Sequence, residues 1–303
     1  MYKYQNTINR VEKFTGIGLH SGKKVTVRIA PAPADTGIIF IREDLNNFQI
    51  EATVSNVVDT TLCTTLGRDG ILIKTVEHFL SAVAAAGIDN LFVFVSGEEM
   101  PIMDGSSAPF LYILKEAGIC SLNKKKKYLK IKKLIKVSCE DKSAVLEPAN
   151  DFIISFYLDY NHQLINKQFF SINFSKESYL EHISKARTFG FLHEVEMLRA
   201  NNLALGGTLE NAVVIDKDKV LNKEGLRYKD EFVRHKILDA LGDLYLIGYP
   251  IIGHYRGIKA GHALNNRLCK KLLQHKECWE LIELDDTLLE KFNPFEQLQL
   301  AFC

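Results

Sequence analysis

The segment DEFVRHKILDALGDLYLIG, residues 230–248, predicts a long helix and a cluster of polar side chains on it. At about 100° per residue, with His235 placed at zero, Asp239 falls near 40°, Asp243 near 80° and Lys236 near 100°. These four residues therefore share one polar arc of a helix expected over residues 229–247. The opposite arc is apolar and is expected to pack into the protein; it consists of Ile237, Leu238, Leu241, Leu244 and Tyr245.

His235 and Asp239 are one helical turn apart, and side chains at this spacing can reach the same ion. The pair therefore indicates half of a metal site. An exposed helical pair of His and Asp has the same spacing, so the interpretation needs ligands from elsewhere in the chain.

The segment Thr75-Val-Glu-His78 offers such a complement. It begins a helix predicted over residues 76–86, with Thr75 as the N-cap and Gly87 as the stop. Adjacent helical side chains diverge, so His78 can bind a metal while Glu77 reaches the bound water. Two imidazoles and one carboxylate leave positions open, as in catalytic zinc sites. Taken alone, the pair is more typical of a solvated helix start.

A third element is KAGHALNN, residues 259–266, in which His262 follows Gly261 in a loop or at a helix start. Gly261 permits close approach of a ligand. An imidazole that binds no metal can donate a proton to a leaving amine, and Asp243 could orient it and raise its pKa. The alternative is a helix cap or a packed surface histidine.

The composition is that of an ordinary globular protein: 303 residues, 47% hydrophobic and 25% charged, with a formal net charge of +1. A nearly neutral chain provides no overall field for binding DNA or RNA, so no nucleic-acid partner is expected. The apolar runs are too short for a membrane span, and the N-terminus lacks the pattern of a signal peptide, which predicts a cytoplasmic protein. The six cysteines show no zinc-binding spacing and are expected to be reduced.

The predicted fold class is α+β, with two similar domains, each a sheet with helices packed on one face, and a metal between them. Their expected bounds are residues 1–123 and 124–303, because a basic run, KKKKYLKIKK, follows Asn123 and is interpreted as a solvated linker. A strand-helix-strand insertion is expected in the second domain at about residues 189–215. Strands are predicted at 25–30, 37–42, 91–95, 128–137, 144–148 and 152–160, and further helices at 108–117 and 176–185.

Six segments together resemble the UDP-3-O-acyl-N-acetylglucosamine deacetylases, the zinc amidases of early lipid A biosynthesis in Gram-negative bacteria. They are TGIGLHSGK (15–23), TVEHFLSAVAAAGIDN (75–90), PIMDGSSAPF (101–110), ARTFGF (186–191), DEFVRHKILDALGDL (230–244) and KAGHALNN (259–266). The match runs in the expected order over almost the full chain, so it is specific although each segment alone is not.

This resemblance implies a role for each polar residue above. The zinc ligands would be His78, His235 and Asp239, with one ion per chain and Fe²⁺ as an alternative in the cell. Glu77 would be the general base, His262 the general acid with Asp243 as its partner, and Lys236 and Thr188 would stabilise the oxyanion. The substrate would be a UDP-linked acylated amino sugar whose N-acetyl group is hydrolysed to acetate, and the enzyme is expected to be a monomer.

The resemblance also implies where the substrate binds. The insertion would form an apolar passage for the acyl chain, although an ordinary apolar core would have the same composition. Candidates for its wall are Phe191, Leu192, Leu198, Leu203, Ala204, Gly207, Ala212 and Val214, and other substrate contacts are expected from Leu62 and Phe189. For the UDP group, Tyr160 would stack on the base and Lys142 or Lys259 would contact the phosphates.

Two other functions remain open at this stage. A non-haem iron oxygenase also uses two histidines and one carboxylate, but it does not require a glutamate beside a ligand, as Glu77 lies beside His78. A non-catalytic protein that binds nucleotide sugars or acyl chains could keep the fold, but it would have no need of Glu77 and His262.

Overall fold

The computed structural model describes residues 1–285, and its first half forms a five-stranded sheet, a three-stranded sheet and two helices. The elements are β1 (Tyr4–Ile8), β2 (Glu12–Ile17), β3 (Lys24–Pro31), β4 (Ile38–Arg42), β5 (Phe48–Glu51), β6 (Val57–Asp59), β7 (Thr65–Arg68), β8 (Ile71–Ile73), α1 (Glu77–Ala86), β9 (Leu91–Val95) and α2 (Ala108–Ala117). The larger sheet has the order β2-β3-β9-β4-β5, in which only β4 and β9 run parallel.

The second half is built around a seven-stranded sheet. Its elements are β10 (Ile119–Lys125), β11 (Lys127–Ile131), β12 (Ile135–Cys139), β13 (Lys142–Glu147), β14 (Phe152–Leu158), β15 (Gln168–Asn173), α3 (Lys176–His182), β16 (Phe189–Phe191), α4 (Leu192–Ala200), β17 (Val213–Asp216), β18 (Lys219–Val220), α5 (Glu231–Tyr245), β19 (Ile251–Ile258), α6 (His262–Gln274) and β20 (Trp279–Glu283). Strand β19 lies at the centre of this sheet and pairs with β11, β13 and β14.

Each large sheet buries one face under helices, as the sequence predicts. In β3 and β9 buried and part-buried residues alternate, which is the pattern of a sheet with one covered face. Phe79 of α1 packs edge-on against Phe40 of β4, and Phe110 of α2 against Phe14 of β2. In the second half, α5 and α6 cover the sheet on the side of β12–β15. The α+β fold class is therefore confirmed.

Helices α1 and α5 pack against each other, and this contact joins the two halves. Gly242 of α5 makes it close, because a Cβ there would lie 2.1 Å from the carbonyl oxygen of Glu77. Only glycine allows the two backbones to approach so closely. The predicted metal ligands of the two helices are thereby brought to one place.

The basic run after Asn123 is not a solvated linker, so that interpretation was wrong. Residues 119–125 form β10, which pairs with β1, and the lysines find acidic partners far away in the sequence. Lys124 pairs with Asp35 at 2.9 Å, Lys125 with Glu283 at 3.4 Å, and buried Lys126 with Asp89 at 2.8 Å. Because β10 continues through residue 123, the domain boundary placed there stays a prediction, and residues 286–303 of the second domain lie outside the described part.

Other sequence predictions needed smaller corrections. The single strand predicted over residues 128–137 is two strands, β11 and β12, because the chain changes partners between them, from β19 and β20 to β13. The helix predicted over 176–185 ends at His182. The strand-helix-strand insertion is present as β16, α4 and β17, with β16 and β17 parallel.

Five of the six cysteines lie in the described part of the chain and are free thiols, as predicted, whereas Cys303 lies outside it. No helix within residues 1–285 is both long enough and apolar enough to cross a membrane.

Candidate active site

The entry to helix α1 is strained, and the strain lies two residues before Glu77. Thr75 has a φ of 58°, in the left-handed region that a β-branched residue rarely adopts. Thr75 is therefore not the N-cap that the sequence predicted, and its hydroxyl contacts buried Glu99 at 3.3 Å instead. Glu99 also accepts the amides of His20 and Ser21 at 2.7 and 2.9 Å, so it ties the 15–23 segment to the start of α1.

His78, His235 and Asp239 converge in the interior, within 4.8 Å of one another by their ligand atoms. Asp239 Oδ1 lies 3.2 Å from His235 Nε2 and 3.6 Å from His78 Nε2. Tetrahedral zinc with bonds of about 2.0–2.2 Å requires neighbouring ligand atoms to lie about 3.3–3.6 Å apart. The two separations from Asp239 agree with that requirement to within about 0.1 Å, and the three side chains are close enough together to hold one ion.

Two observations on individual atoms support the same fit. Asp239 Oδ1 is buried without a hydrogen-bond partner in the described structure, and an orphaned carboxylate oxygen facing two imidazoles is expected where a cation binds. His235 Nδ1 lies 3.0 Å from the carbonyl of Ala186 and donates to it, which leaves Nε2 as the free ligand atom.

Lys236 holds the other oxygen of the carboxylate ligand. Its Nζ donates to Asp239 Oδ2 at 2.8 Å and lies 5.6 Å from the centre of the Phe189 ring. Burial lowers the pKa of Lys236, but the adjacent Asp239 outweighs it, so the pKa lies above its ordinary value. Lys236 therefore keeps its positive charge beside the metal ligands.

Glu77 is almost fully buried beside the ligands and does not join them. Its Oε2 accepts the amide of Thr64 at 3.0 Å, and its Oε1 lies 3.8 Å from His262 Nε2. Burial raises the pKa of Glu77 to about 7. A carboxylate with a pKa near neutrality is suited to accept and release a proton.

His262 is the first residue of α6 and forms a close pair with Asp243, as the sequence predicted. His262 Nδ1 lies 2.8 Å from Asp243 Oδ2. Burial lowers the pKa of His262, but Asp243 and Glu77 outweigh it and raise the pKa to about 10. The imidazole is therefore protonated at neutral pH and can act as an acid.

Three residues of this site were not predicted from the sequence. The hydroxyl of Thr64 donates to Asp243 Oδ1 at 2.5 Å, and Asn265 donates to Asp243 Oδ2 at 2.8 Å. Tyr255 of β19 in turn donates to Asn265 Oδ1 at 2.6 Å. Asn265 stands three residues after His262, on the same helical face, and this spacing could have revealed it. Thr64 had no such signal.

A buried ion pair supports the segment that carries Thr188. Arg187 donates to Glu231 from its amide and from Nε, both at 2.9 Å, and both side chains are almost completely buried. Thr188 is held through its backbone, whose amide donates to the Gly105 carbonyl at 2.8 Å. Ala186, on the other side of Arg187, is the residue that orients His235.

The insertion lies against the loop of residues 18–22. The amides of Leu205 and Gly206 donate to the carbonyls of His20 and Leu19, and a Cβ at Gly206 would lie 2.2 Å from the carbonyl oxygen of Gly18. None of the nine residues of α4 is buried. Among the predicted wall residues, Ala204 and Val214 are buried, and the part-buried ones are Phe191, Leu192, Leu198, Leu203, Gly207 and Ala212.

Other residues predicted to contact the substrate are partly buried or exposed. Tyr160 is 37% exposed and packs edge-on against Phe189 and Phe191, at ring-centre distances of 6.2 and 5.9 Å. Lys259 Nζ is paired with Asp141 at 2.8 Å and with Asp159 at 3.3 Å. The remaining two are exposed: Lys142 at the start of β13, and Leu62 in the turn after β6.

A His-His-Asp cluster between helices α1 and α5, with a buried carboxylate and an imidazole of raised pKa beside it, is typical of metal-dependent hydrolases. Comparison with known proteins identifies which one. A family model described as LpxC, UDP-3-O-acyl N-acetylglycosamine deacetylase, matches residues 5–274. The chain therefore belongs to the UDP-3-O-acyl N-acetylglycosamine deacetylase family.

Individual relatives agree with this assignment over nearly the whole chain. The chain is 48% identical over 285 residues to the UDP-3-O-acyl-N-acetylglucosamine deacetylase of Chromohalobacter salexigens, covering 93% of this chain and 94% of the relative. It is 48% identical over 286 residues to that of Hahella chejuensis, with 93% and 95% covered. It is 49% identical over 285 residues to that of Coxiella burnetii, with 93% and 94% covered.

Proposed function

We propose that this enzyme hydrolyses the N-acetyl group of UDP-3-O-(3-hydroxyacyl)-N-acetylglucosamine, giving the free amine and acetate in an early step of lipid A biosynthesis. The observation that carries the proposal is the position of Glu77 and His262. They come from opposite halves of the chain and face each other across 3.8 Å beside the His-His-Asp cluster. Hydrolysis of an amide requires a group that takes a proton from water and a group that gives one to the amine.

In this mechanism Glu77 accepts a proton as water attacks the acetyl carbonyl. His262, which carries a proton at neutral pH, donates it to the departing amine nitrogen when the carbon–nitrogen bond breaks. Asp243 keeps the imidazole oriented with Nδ1 towards the carboxylate and Nε2 towards the reaction. Lys236 and Thr188 stabilise the negative charge that develops on the carbonyl oxygen.

The metal is proposed to be zinc, held by His78, His235 and Asp239. A zinc ion bound there would lower the pKa of water and polarise the carbonyl. The donor set of two imidazoles and one carboxylate favours zinc over metals that prefer oxygen ligands alone. Fe²⁺ in the cell remains an alternative, which metal analysis of the purified protein would decide.

For the substrate, we propose that the insertion forms a passage for the acyl chain. Its helix α4 buries no side chain, and six of the eight predicted wall residues are only partly buried, which suits an open apolar passage better than a closed core. Tyr160 would stack on uracil, with Leu62 and Phe189 as further contacts. Lys142 and Lys259 would contact the diphosphate, for which Lys259 must exchange its present carboxylate partners.

The test is an assay for acetate release from the UDP-linked substrate, followed by mass spectrometry of the amine product. The wild-type protein is expected to release one acetate per amine, to lose activity with a chelator and to regain it with Zn²⁺. Glu77→Ala is expected to bind the substrate without releasing acetate. Release of acetate by Glu77→Ala at the wild-type rate would contradict the mechanism. Consumption of oxygen by the wild-type protein would instead favour a non-haem iron oxygenase. The cytoplasmic location and the monomeric state stay predictions.

A further inference from the structure

Thr64, immediately before β7, binds to the proposed base and to the carboxylate partner of the proposed acid. Its amide donates to Glu77 Oε2 at 3.0 Å, and its hydroxyl donates to Asp243 Oδ1 at 2.5 Å. Its carbonyl accepts the amide of Val76, one residue before α1, at 3.3 Å. Thr64 is 2% exposed, so water competes little for these bonds.

The distances decide where the single hydroxyl proton goes. His262 Nδ1 lies 3.3 Å from Thr64 Oγ1, whereas Asp243 Oδ1 lies at 2.5 Å and can only accept a hydrogen bond from the hydroxyl. The proton therefore points to Asp243, and His262 Nδ1–H donates to the other carboxylate oxygen, which Asn265 also contacts. Asp243 thus accepts three hydrogen bonds, from Thr64, His262 and Asn265, which fix the position of its carboxylate.

The amide of Thr64 has a separate effect on the base. It occupies Glu77 Oε2, so that Oε1 is the oxygen that faces His262 Nε2 at 3.8 Å. Turning the Glu77 carboxylate away from this orientation would leave the Thr64 amide unpaired in a buried site, which is costly, so one carboxylate oxygen is kept facing His262. One residue therefore selects the reacting oxygen of the base and the reacting nitrogen of the acid.

We propose that Thr64 is a positioning residue: its amide makes Glu77 Oε1 the oxygen that accepts the proton from water, and its hydroxyl holds Asp243 against His262. This inference rests on the proposed deacetylase function. Thr64 and Glu77 belong to the first half of the chain and Asp243 and His262 to the second, so Thr64 also fixes the acid relative to the base.

The test is Thr64→Val, which has nearly the same volume and keeps the amide but lacks the hydroxyl. We expect kcat to fall about 10-fold or more and KM to stay within about twofold, because the groups that move a proton are affected and the substrate contacts are not. With histidine labelled for NMR in the full chain loaded with Zn²⁺, the His262 ring is expected to titrate at lower pH than in the wild type. The charged groups that face this ring are Glu77 from α1 and Asp239 and Asp243 from α5.

The matched control is Thr65→Val, the same change one residue further along. Thr65 is equally buried, but its hydroxyl lies 3.7 Å from the Cys63 thiol and contacts neither carboxylate. Thr65→Val is expected to keep the wild-type kcat and the wild-type His262 titration. Thr64→Ser, which restores the hydroxyl, is expected to recover both. If Thr64→Val does not fold, Thr64→Ala takes its place in the same comparison.

Two results would overturn the inference. The first is that Thr64→Val has the same kcat and the same His262 titration as the control Thr65→Val. The second is that Thr64→Val loses activity while its His262 titration stays unchanged. The NMR measurement does not depend on turnover. If the wild-type protein released no acetate, the proposed function would fail, and the titration would still decide whether Thr64 positions His262.

Discussion

Gly242 of α5 and Glu77 of α1 meet backbone to backbone, so closely that a Cβ at position 242 would lie 2.1 Å from the Glu77 carbonyl oxygen. This contact lies where α5 carries Asp239 and Asp243 and where α1 carries His78. The packing of the two helices therefore also sets the separation between the proposed metal ligands of opposite halves. A small change in packing at Gly242 is therefore expected to shift His78 relative to Asp239 and to lower the activity.

Gly242→Ala is expected to be destabilising and to weaken metal binding. The added methyl group must push α1 and α5 apart, and overpacking of this kind costs about 1–3 kcal/mol or more of unfolding free energy. Urea unfolding and a competition assay with a zinc chelator measure the two effects. Gly97→Ala is the control, because its Cβ would meet only Val25, at 3.9 Å. Equal zinc affinities in the two variants would show that the helix contact does not set the ligand geometry.

The basic run allows a comparison between neighbouring lysines. Lys126→Met removes the partner of Asp89, and because Lys126 is buried the change is expected to cost about 3 kcal/mol of unfolding free energy. Lys125→Met, which removes an exposed pair with Glu283, should cost less than about 1 kcal/mol. Urea unfolding followed by circular dichroism gives both values. A smaller loss for Lys126→Met than for Lys125→Met would contradict the burial argument.

Glu231→Gln and Glu224→Gln test the support behind His235. Arg187 binds both acids, but Glu231 is fully buried whereas the side chain of Glu224 is 58% exposed. We expect Glu231→Gln to lower the unfolding free energy by about 3 kcal/mol and Glu224→Gln to change it little. Zinc affinity should fall by about 10-fold or more in Glu231→Gln alone, because Arg187 adjoins the carbonyl that orients His235. Chelator competition at equilibrium checks this.

The pH dependence of kcat/KM should show an alkaline limit set by His262. The pKa of this imidazole is raised to about 10, so the protonated acid is present below that pH and is lost as the pH rises through it. Activity is expected to fall by tenfold for each further pH unit. In Asp243→Asn the limit should move to lower pH, because the principal charge that raises the pKa is gone. Circular dichroism at each pH separates this limit from unfolding, and an unmoved limit in Asp243→Asn would exclude His262 as the acid.

The polar arc of α5 was predictable because helical periodicity is local. The spacing of His235, Asp239 and Asp243 requires only that the segment be helical, and the structure has this helix within two residues of the predicted ends. The pattern could not show that the arc is buried. A helix that is polar on one side normally exposes that side, and here α1 covers it.

Thr64 and the lysine pairs were not predictable for the opposite reason, since their partners are distant in the sequence. Thr64 follows a strand of only three residues, too short for a periodic signal, and its partner Asp243 is 179 residues away. A run of lysines likewise indicates solvent exposure unless the acids it will meet are known. Such contacts depend on the tertiary fold, which brings β10 to β1 and the turn after β6 to α5.

The positions of the proposed metal ligands in the chain have a thermodynamic consequence. Because one imidazole comes from α1 and the other two ligands come from α5, an ion held by all three acts as a crosslink between the halves. Binding to the native state alone adds to its stability by mass action, about 4 kcal/mol when the free ion is at 1,000 times its dissociation constant. The melting temperature of this protein should therefore follow the availability of zinc in the surrounding medium, and starvation for the ion would expose the chain to proteolysis as well as stop its chemistry.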